Sequence, residues 1–175
     1  RDVAPSRGLG DVYKRQGIGT AGFRHESDTA IYEMQIDNAM ALNEKLPPIK
    51  GIYYFSYACD ATILADDGTR SLDPELGGGM YKVSGARLCT YEGVTPSGYV
   101  IDEKWQANDG LVNTYSALVP IGAPSVDYNA DSVTTGIWNV MPVMRGNHST
   151  LQGGMTKALN GRIFFVDLLS MINSL

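Results

Sequence analysis

A chain of 175 residues has room for one domain or for part of a larger one, and 43% apolar with 19% charged residues is a globular composition that excludes disorder. The 14 Lys and Arg against 19 Asp and Glu leave a net charge of −5 with no basic cluster, which argues against nucleic-acid binding through phosphate contacts. No apolar run approaches the ~18 residues that span a bilayer, so no transmembrane segment is expected.

In chain order, residues 1–16 (RDVAPSRGLGDVYKRQ) show neither helical nor strand periodicity, and DVYKRQ resembles translated adapter sequence. They are expected to be a non-native or disordered leader, with residues 17–175 forming the domain. Gly17 to Gly22 matches G-x-G-x-x-G, but no strand precedes it, so a flexible junction is expected rather than a dinucleotide site. His25 lies in a polar stretch and reads as a solvated ring.

Asp37 is placed to cap a helix through Ala39, Met40 and Leu42 that Pro47-Pro48 ends. Ile49 to Tyr57, rich in aromatic and β-branched residues, predicts a buried strand. A loop with Asp66-Asp67-Gly68 leads to Pro74 through Gly79, and Met80, Val83 and Arg87-Leu88 suit a short helix. Leu111 to Val119 reads as extended or mixed, and Thr134 to Met144 as a strand with Pro142 near its end. The C-terminal RIFFVDLLSMINSL predicts a helix apolar on two sides, with Ile163, Val166 and Leu169 in one stripe and Phe165, Leu168 and Ile172 in the other. Strands separated by helical stretches favour an α/β sheet over an all-β sandwich. The 10 Tyr against 4 Phe suggest rings at half-wet surfaces, and Cys59 and Cys89 lack C-x-x-C spacing, with their disulfide state left open.

Two polar residues have the positions that chemistry requires. His148 follows the apolar run 134–144 in a small polar turn, and loops at the carboxyl ends of strands carry catalytic groups in α/β proteins. Asp109 precedes Gly110 and reads either as an ordinary Asp-Gly turn or as the acid of a Ser…Asp…His triad. In such a triad the acid holds the imidazole tautomer while the histidine takes the serine proton. Asn147-His148-Ser149 is formally a glycosylation sequon, and no sugar is expected there.

Residues 28–175 resemble the C-terminal part of secreted bacterial triacylglycerol lipases of the staphylococcal and thermophilic-bacillus type. Five blocks carry the resemblance in order: Asp28-Thr29-Ala30-Ile31-Tyr32, Tyr53-Tyr54-Phe55-Ser56, Pro74-Glu75-Leu76-Gly77, Trp105 through Thr114, and Gly136-Ile137-Trp138 running on to Arg145-Gly146-Asn147-His148. The resemblance implies the C-terminal portion of an α/β-hydrolase fold, a mostly parallel sheet with flanking helices whose N-terminal half is missing. It implies a carboxylic ester hydrolase, triacylglycerol lipase-like and secreted, acting on lipid or ester substrates with transient contact to a lipid interface. Asp109 becomes the triad acid and His148 the base.

The chemistry itself needs no cofactor, but the resemblance implies a structural calcium near the histidine loop, with Gly77 offering a backbone carbonyl, and a zinc at Asp28. The chain departs from the pattern at this point. Where the family has Asp-His-x-[ED] and an aspartate-proline pair a few residues later, it reads Asn147-His148-Ser149-Thr150, with Thr150 at the acid position and no such pair, and losing two carboxylates weakens a calcium site. One carboxylate at Asp28 does not hold zinc by itself.

No serine is flanked as G-x-S-x-G, including Ser84 and Ser97, and no oxyanion-hole segment is recognisable. The expectation is a fragment that carries acid and base without the nucleophile and is inactive by itself. The alternative is a non-catalytic α/β-hydrolase-derived binding or structural module. A third reading, with Cys59 as nucleophile, lacks the glycine that a tight elbow needs.

Overall fold

The computed structural model describes residues 30–153 and 160–175. The leader at 1–16, the glycines at 17–22, His25 and Asp28 lie outside the described residues.

Two helices come first, α1 (Ala30–Glu33) and α2 (Ile36–Lys45). The cap position of α2 belongs to Gln35, so Asp37 sits within the first turn instead of before it. Its carboxylate accepts from the Ser97 backbone N–H at 3.0 Å and the Ser97 hydroxyl at 2.7 Å. The helix stops ahead of Pro47-Pro48 as predicted, since a residue before proline is pushed out of the helical region.

The predicted strand at 49–57 is real but short. Ile49 to Ile52 makes a turn closed by Ile52 N–H to Ile49 O at 3.3 Å, with Gly51 at φ 84°. Only β1 (Tyr54–Ser56) is strand, and Ile49 and Ile52 are exposed, so the expectation of a buried run is corrected. β1 pairs in parallel with β8 (Trp138–Val140), which pairs in parallel with β7 (Ser125–Asp127), giving the order β1-β8-β7. β2 (Cys59–Asp60) and β9 (Met144–Arg145) form a second parallel pair.

The predicted strand at 134–144 therefore divides in two. Pro142 lacks an N–H and falls in the gap, while Met141 N–H to Ser56 O at 3.1 Å and Met144 N–H to Ala58 O at 2.9 Å carry the pairing across it. Two antiparallel pairs flank this framework, β3 (Thr62–Leu64) with β4 (Arg70–Leu72) and β5 (Gly93–Val94) with β6 (Val100–Ile101).

Asn139 is fully buried at the centre of the three-stranded sheet. Its Nδ2 donates to the carbonyls of Tyr54 at 3.1 Å and Thr134 at 2.8 Å, and its Oδ1 accepts from Thr134 N–H at 3.1 Å. Buried polar groups survive only when paired in this way.

The short helix predicted after Gly79 is α3 (Lys82–Leu88), entered through a 3-10 turn at Gly79–Tyr81. Part of the mixed segment 111–119 is helical, as α4 (Thr114–Leu118), with Thr114 anchored by its hydroxyl to Cys59 O at 2.8 Å. The C-terminal helix α5 (Gly161–Asn173) is capped by Asn160, whose Oδ1 accepts from Arg162 and Ile163 N–H.

The inner face of α5 shares only Leu168 with the predicted stripes. Phe164, Leu168 and Met171 line a groove with Tyr57, Met141 and Met144, and Phe164 meets Tyr57 edge-on at 5.2 Å between ring centroids. Ile163, Val166 and Leu169 are exposed, as are Phe165 and Ile172, so burial on two sides is not met among the described residues. The tight core lies elsewhere, at Ala58, Cys59, Ala61, Cys89, Ile101 and Trp105, beneath the loops that carry the polar residues.

Candidate active site

Asp109 stands in a bend built by its neighbours. Asn108 is fully buried, and its Nδ2 donates to the carbonyls of Gln106 at 2.9 Å and Gly85 at 3.2 Å. Its Oδ1 accepts from Gly110 N–H at 2.8 Å. Gly110 has φ 97°, and a Cβ there would fall 2.6 Å from Tyr81 Cβ, so the bend requires glycine for both conformation and space. Ser84 fixes the bend from α3, donating to Gly110 O at 2.6 Å.

Asp109 then closes an Asx turn. Its N–H donates to Val112 O at 3.0 Å, and its Oδ1 accepts from Leu111 N–H at 2.9 Å and Val112 N–H at 2.8 Å. One carboxylate oxygen is used locally and the other faces outward.

The histidine turn follows β9. Gly146 N–H still donates to Asp60 O at 3.2 Å, and the turn closes with Thr150 N–H to Asn147 O at 2.9 Å. His148 N–H donates to the carbonyl of Asp109 at 2.9 Å, and His148 Nδ1 lies 2.9 Å from Asp109 Oδ2. The side chains of histidine and aspartate are 29% and 13% exposed. Tyr81 packs edge-on to the imidazole with ring centroids 6.4 Å apart, and its hydroxyl shares a hydrogen bond with that of Ser149.

The two residues singled out 39 positions apart thus meet through both main chain and side chain. A carboxylate is acceptor-only, so the neutral imidazole that satisfies this contact carries its proton on Nδ1 and keeps Nε2 as the basic nitrogen. This arrangement can take a proton at Nε2 and stabilise the resulting imidazolium.

Other sequence candidates stand apart from this chemistry. Cys59 is buried, and burial, with Asp109 and Asp60 adding negative charge, pushes its thiol up to about 11, which keeps it a neutral thiol. Cys89 is likewise buried and free, and burial raises its pKa too. Ser97 is engaged with Asp37, and Ser84 with Gly110. The amide of Asn147, the sequon asparagine, is buried and bonded to Leu76 O.

Among the described residues, no three His, Cys, Asp or Glu side chains come together as a metal site. The oxygens beside Gly77, whose carbonyl the resemblance offers to calcium, are engaged within the protein. Leu76 O accepts from Asn147, and Asp73 accepts from Arg145 at 2.7 Å and from Glu75 N–H at 2.9 Å, so oxygens that could ligate calcium already have protein donors.

Sequence reasoning missed Tyr81, Ser84, Asn108 and Ser149 as the frame of the pair. Asn108 had a signal, standing directly before Asp-Gly in Trp105 through Thr114. Tyr81 and Ser149 had none, since only folding brings residues 68 positions apart together.

No protein-family model matches the chain. It is 30% identical over 170 residues to a lipase from Staphylococcus hyicus, covering 95% of this chain and 24% of that protein. EstA of Clostridium botulinum superposes with a TM-score of 0.76 at 25% identity, over 87% of this chain and 36% of that one. The crystal structure of the Staphylococcus hyicus lipase gives 0.68 at 24% identity, over 98% and 42%. Lipase 1 of Pelosinus fermentans gives 0.68 at 25% identity, over 93% and 43%. The chain therefore spans less than half the length of each of these relatives. In sequence and in fold it is similar to part of these bacterial lipases, and its parallel sheet with flanking helices is of the α/β-hydrolase type.

Proposed function

We propose that Asp109 and His148 are the acid and base of a serine ester hydrolase that acts on lipid or other carboxylic esters. The observation that carries this reading is the 2.9 Å contact between Asp109 Oδ2 and His148 Nδ1, in the chain order Asp then His that α/β-hydrolases use. The nucleophile is a serine outside these 175 residues, which contain no G-x-S-x-G.

In this mechanism His148 Nε2 removes the serine proton as the hydroxyl oxygen bonds to the ester carbonyl carbon, giving a tetrahedral intermediate. Asp109 holds the imidazolium in register. The same nitrogen returns the proton to the departing alkoxide as the C–O bond breaks. A water molecule activated by Nε2 then releases the acid from the acyl-enzyme and restores the serine. The similarity to a lipase supports an ester substrate, and action outside the cell at a lipid interface is part of the same proposal. Among the described residues, no helix is long and apolar enough to cross a membrane.

The test is p-nitrophenyl ester turnover by the natural gene product and by the 175-residue chain. Turnover in the former that drops by ~10³-fold or more in His148→Ala, and none in the latter, is the expected result. Undiminished turnover in His148→Ala would overturn the assignment. No turnover in either form would favour a non-catalytic binding module on the same scaffold.

A further inference from the structure

Asn147 directly precedes His148 and is 7% exposed, yet every polar atom of its carboxamide is engaged. Nδ2 donates to Leu76 O at 2.9 Å, and Oδ1 accepts from Ser149 N–H at 3.0 Å and the Thr150 hydroxyl at 3.3 Å. Its backbone N–H donates to Thr150 Oγ1 at 2.9 Å. The turn is packed on itself, since a Cβ at Gly146 would meet Thr150 Oγ1 at 2.7 Å. Just ahead of it, Arg145 Nη2 donates to Asp73 Oδ2 at 2.7 Å and Nη1 donates to Thr62 O.

The histidine turn is therefore tied to the 73–77 loop by an amide N–H on a carbonyl and a guanidinium on a carboxylate. Carbonyl and carboxylate oxygens are what a calcium ion gathers. Here nitrogen donors of the chain already hold them, and the Asn147 oxygen turns inward to its own turn.

We propose that Asn147 is a positioning residue that holds His148 in place without a metal ion, its carboxamide N–H tying the histidine turn to the Leu76 carbonyl. The role in catalysis rests on the reading of His148 as base, whereas the structural role does not. An aspartate at 147 would set a carboxylate oxygen against the Leu76 carbonyl, two acceptors with no proton between them, until a cation entered.

The test measures the melting temperature of the full chain and the low-field proton resonance of the His148 Nδ1–H bonded to Asp109, in EDTA and in millimolar calcium chloride. The unaltered protein is expected to melt at the same temperature in both and to show the resonance in both. Asn147→Ala should melt roughly 3–10 °C lower and lose the resonance with or without calcium. Asn147→Asp should behave like Asn147→Ala in EDTA and recover melting temperature and resonance in calcium.

A calcium-dependent rise in melting temperature of the unaltered protein would overturn the proposal, as would a resonance that persists in Asn147→Ala. If Asn147→Ala does not fold, Asn147→Asp decides: a resonance already present in EDTA overturns the proposal, and one that needs calcium supports it. Because neither readout uses ester turnover, failure here is distinct from failure of the hydrolase reading.

Discussion

Asp109 grips His148 twice, by its carbonyl on the histidine N–H and by Oδ2 on Nδ1, each at 2.9 Å, while its Oδ1 stays bonded to Leu111 and Val112 N–H. The two carboxylate oxygens thus have separate duties, and one substitution can separate them. In Asp109→Asn, Oδ1 still accepts from both backbone N–H groups, but an amide N–H faces the imidazole and forces its proton to Nε2. Ester hydrolysis by the natural gene product is expected to fall by about 10⁴-fold while stability changes by less than about 1 kcal/mol. Steady-state turnover and denaturant titration of the same preparation check both halves, and comparable activity in the variant would contradict the role given to the carboxylate.

Gly110→Ala should do the reverse and damage the frame. The backbone at φ 97° disfavours an L side chain, and the added Cβ would press on Tyr81 Cβ from 2.6 Å. A loss of at least about 2 kcal/mol is expected. Turnover should fall too, since the bend that aims Asp109 must shift. Chemical denaturation measures the first, and a variant as stable as the parent would show that the bend yields at no cost.

Tyr81→Phe removes the hydroxyl bonded to Ser149 but keeps the ring against the imidazole. Stability should drop by about 0.5–1.5 kcal/mol, the net worth of a hydrogen bond, with turnover reduced less than about tenfold. Tyr81→Ala, which also empties the space beside His148, should cost about 3–5 kcal/mol. Melting curves for the two variants would separate ring from hydroxyl, and equal losses would show that the hydroxyl matters more than the packing.

Cys59 makes a prediction of opposite kind. With its thiol pushed up to about 11 by burial, it should resist iodoacetamide at pH 8 in the native protein and react only on unfolding. A folded pKa above the ordinary thiol value of 9.0 means the folded state holds the proton more tightly. The stabilisation is complete below pH 9 and is lost as pH rises toward 11. Alkylation followed by mass spectrometry checks the reactivity, and Cys59→Ala should flatten this part of the stability profile. Rapid native alkylation that abolished ester turnover would return Cys59 to consideration as a nucleophile.

The sequence made the pair legible because local signals marked both loops. Asp-Gly announces a turn at Asp109, and the end of an apolar run announces a loop at His148. The alternation of strands and helices was legible for the same reason, and the proline pair stopped α2 where expected.

What failed was burial. Apolar content suggested a buried run at 49–57 and two buried faces on α5, but the number of apolar residues does not say which of them find a partner. Ile49 turns away because Gly51 permits a left-handed bend, and α5 seats Phe164 on Tyr57 while Ile163 faces outward. Tyr81 and Ser149 were illegible because their contact exists only in the folded chain.

The buried amide of Asn139 has a consequence for where chemistry can occur. Sliding β8 one residue along β1 would turn its side chain to the opposite face and leave its donors and acceptor unanswered in a dry interior. The strand is thereby locked to a single alignment, and the polypeptide that leaves it reaches the imidazole from a fixed starting point. A buried polar residue that belongs to neither catalytic loop therefore acts as the ruler against which the whole histidine segment is measured.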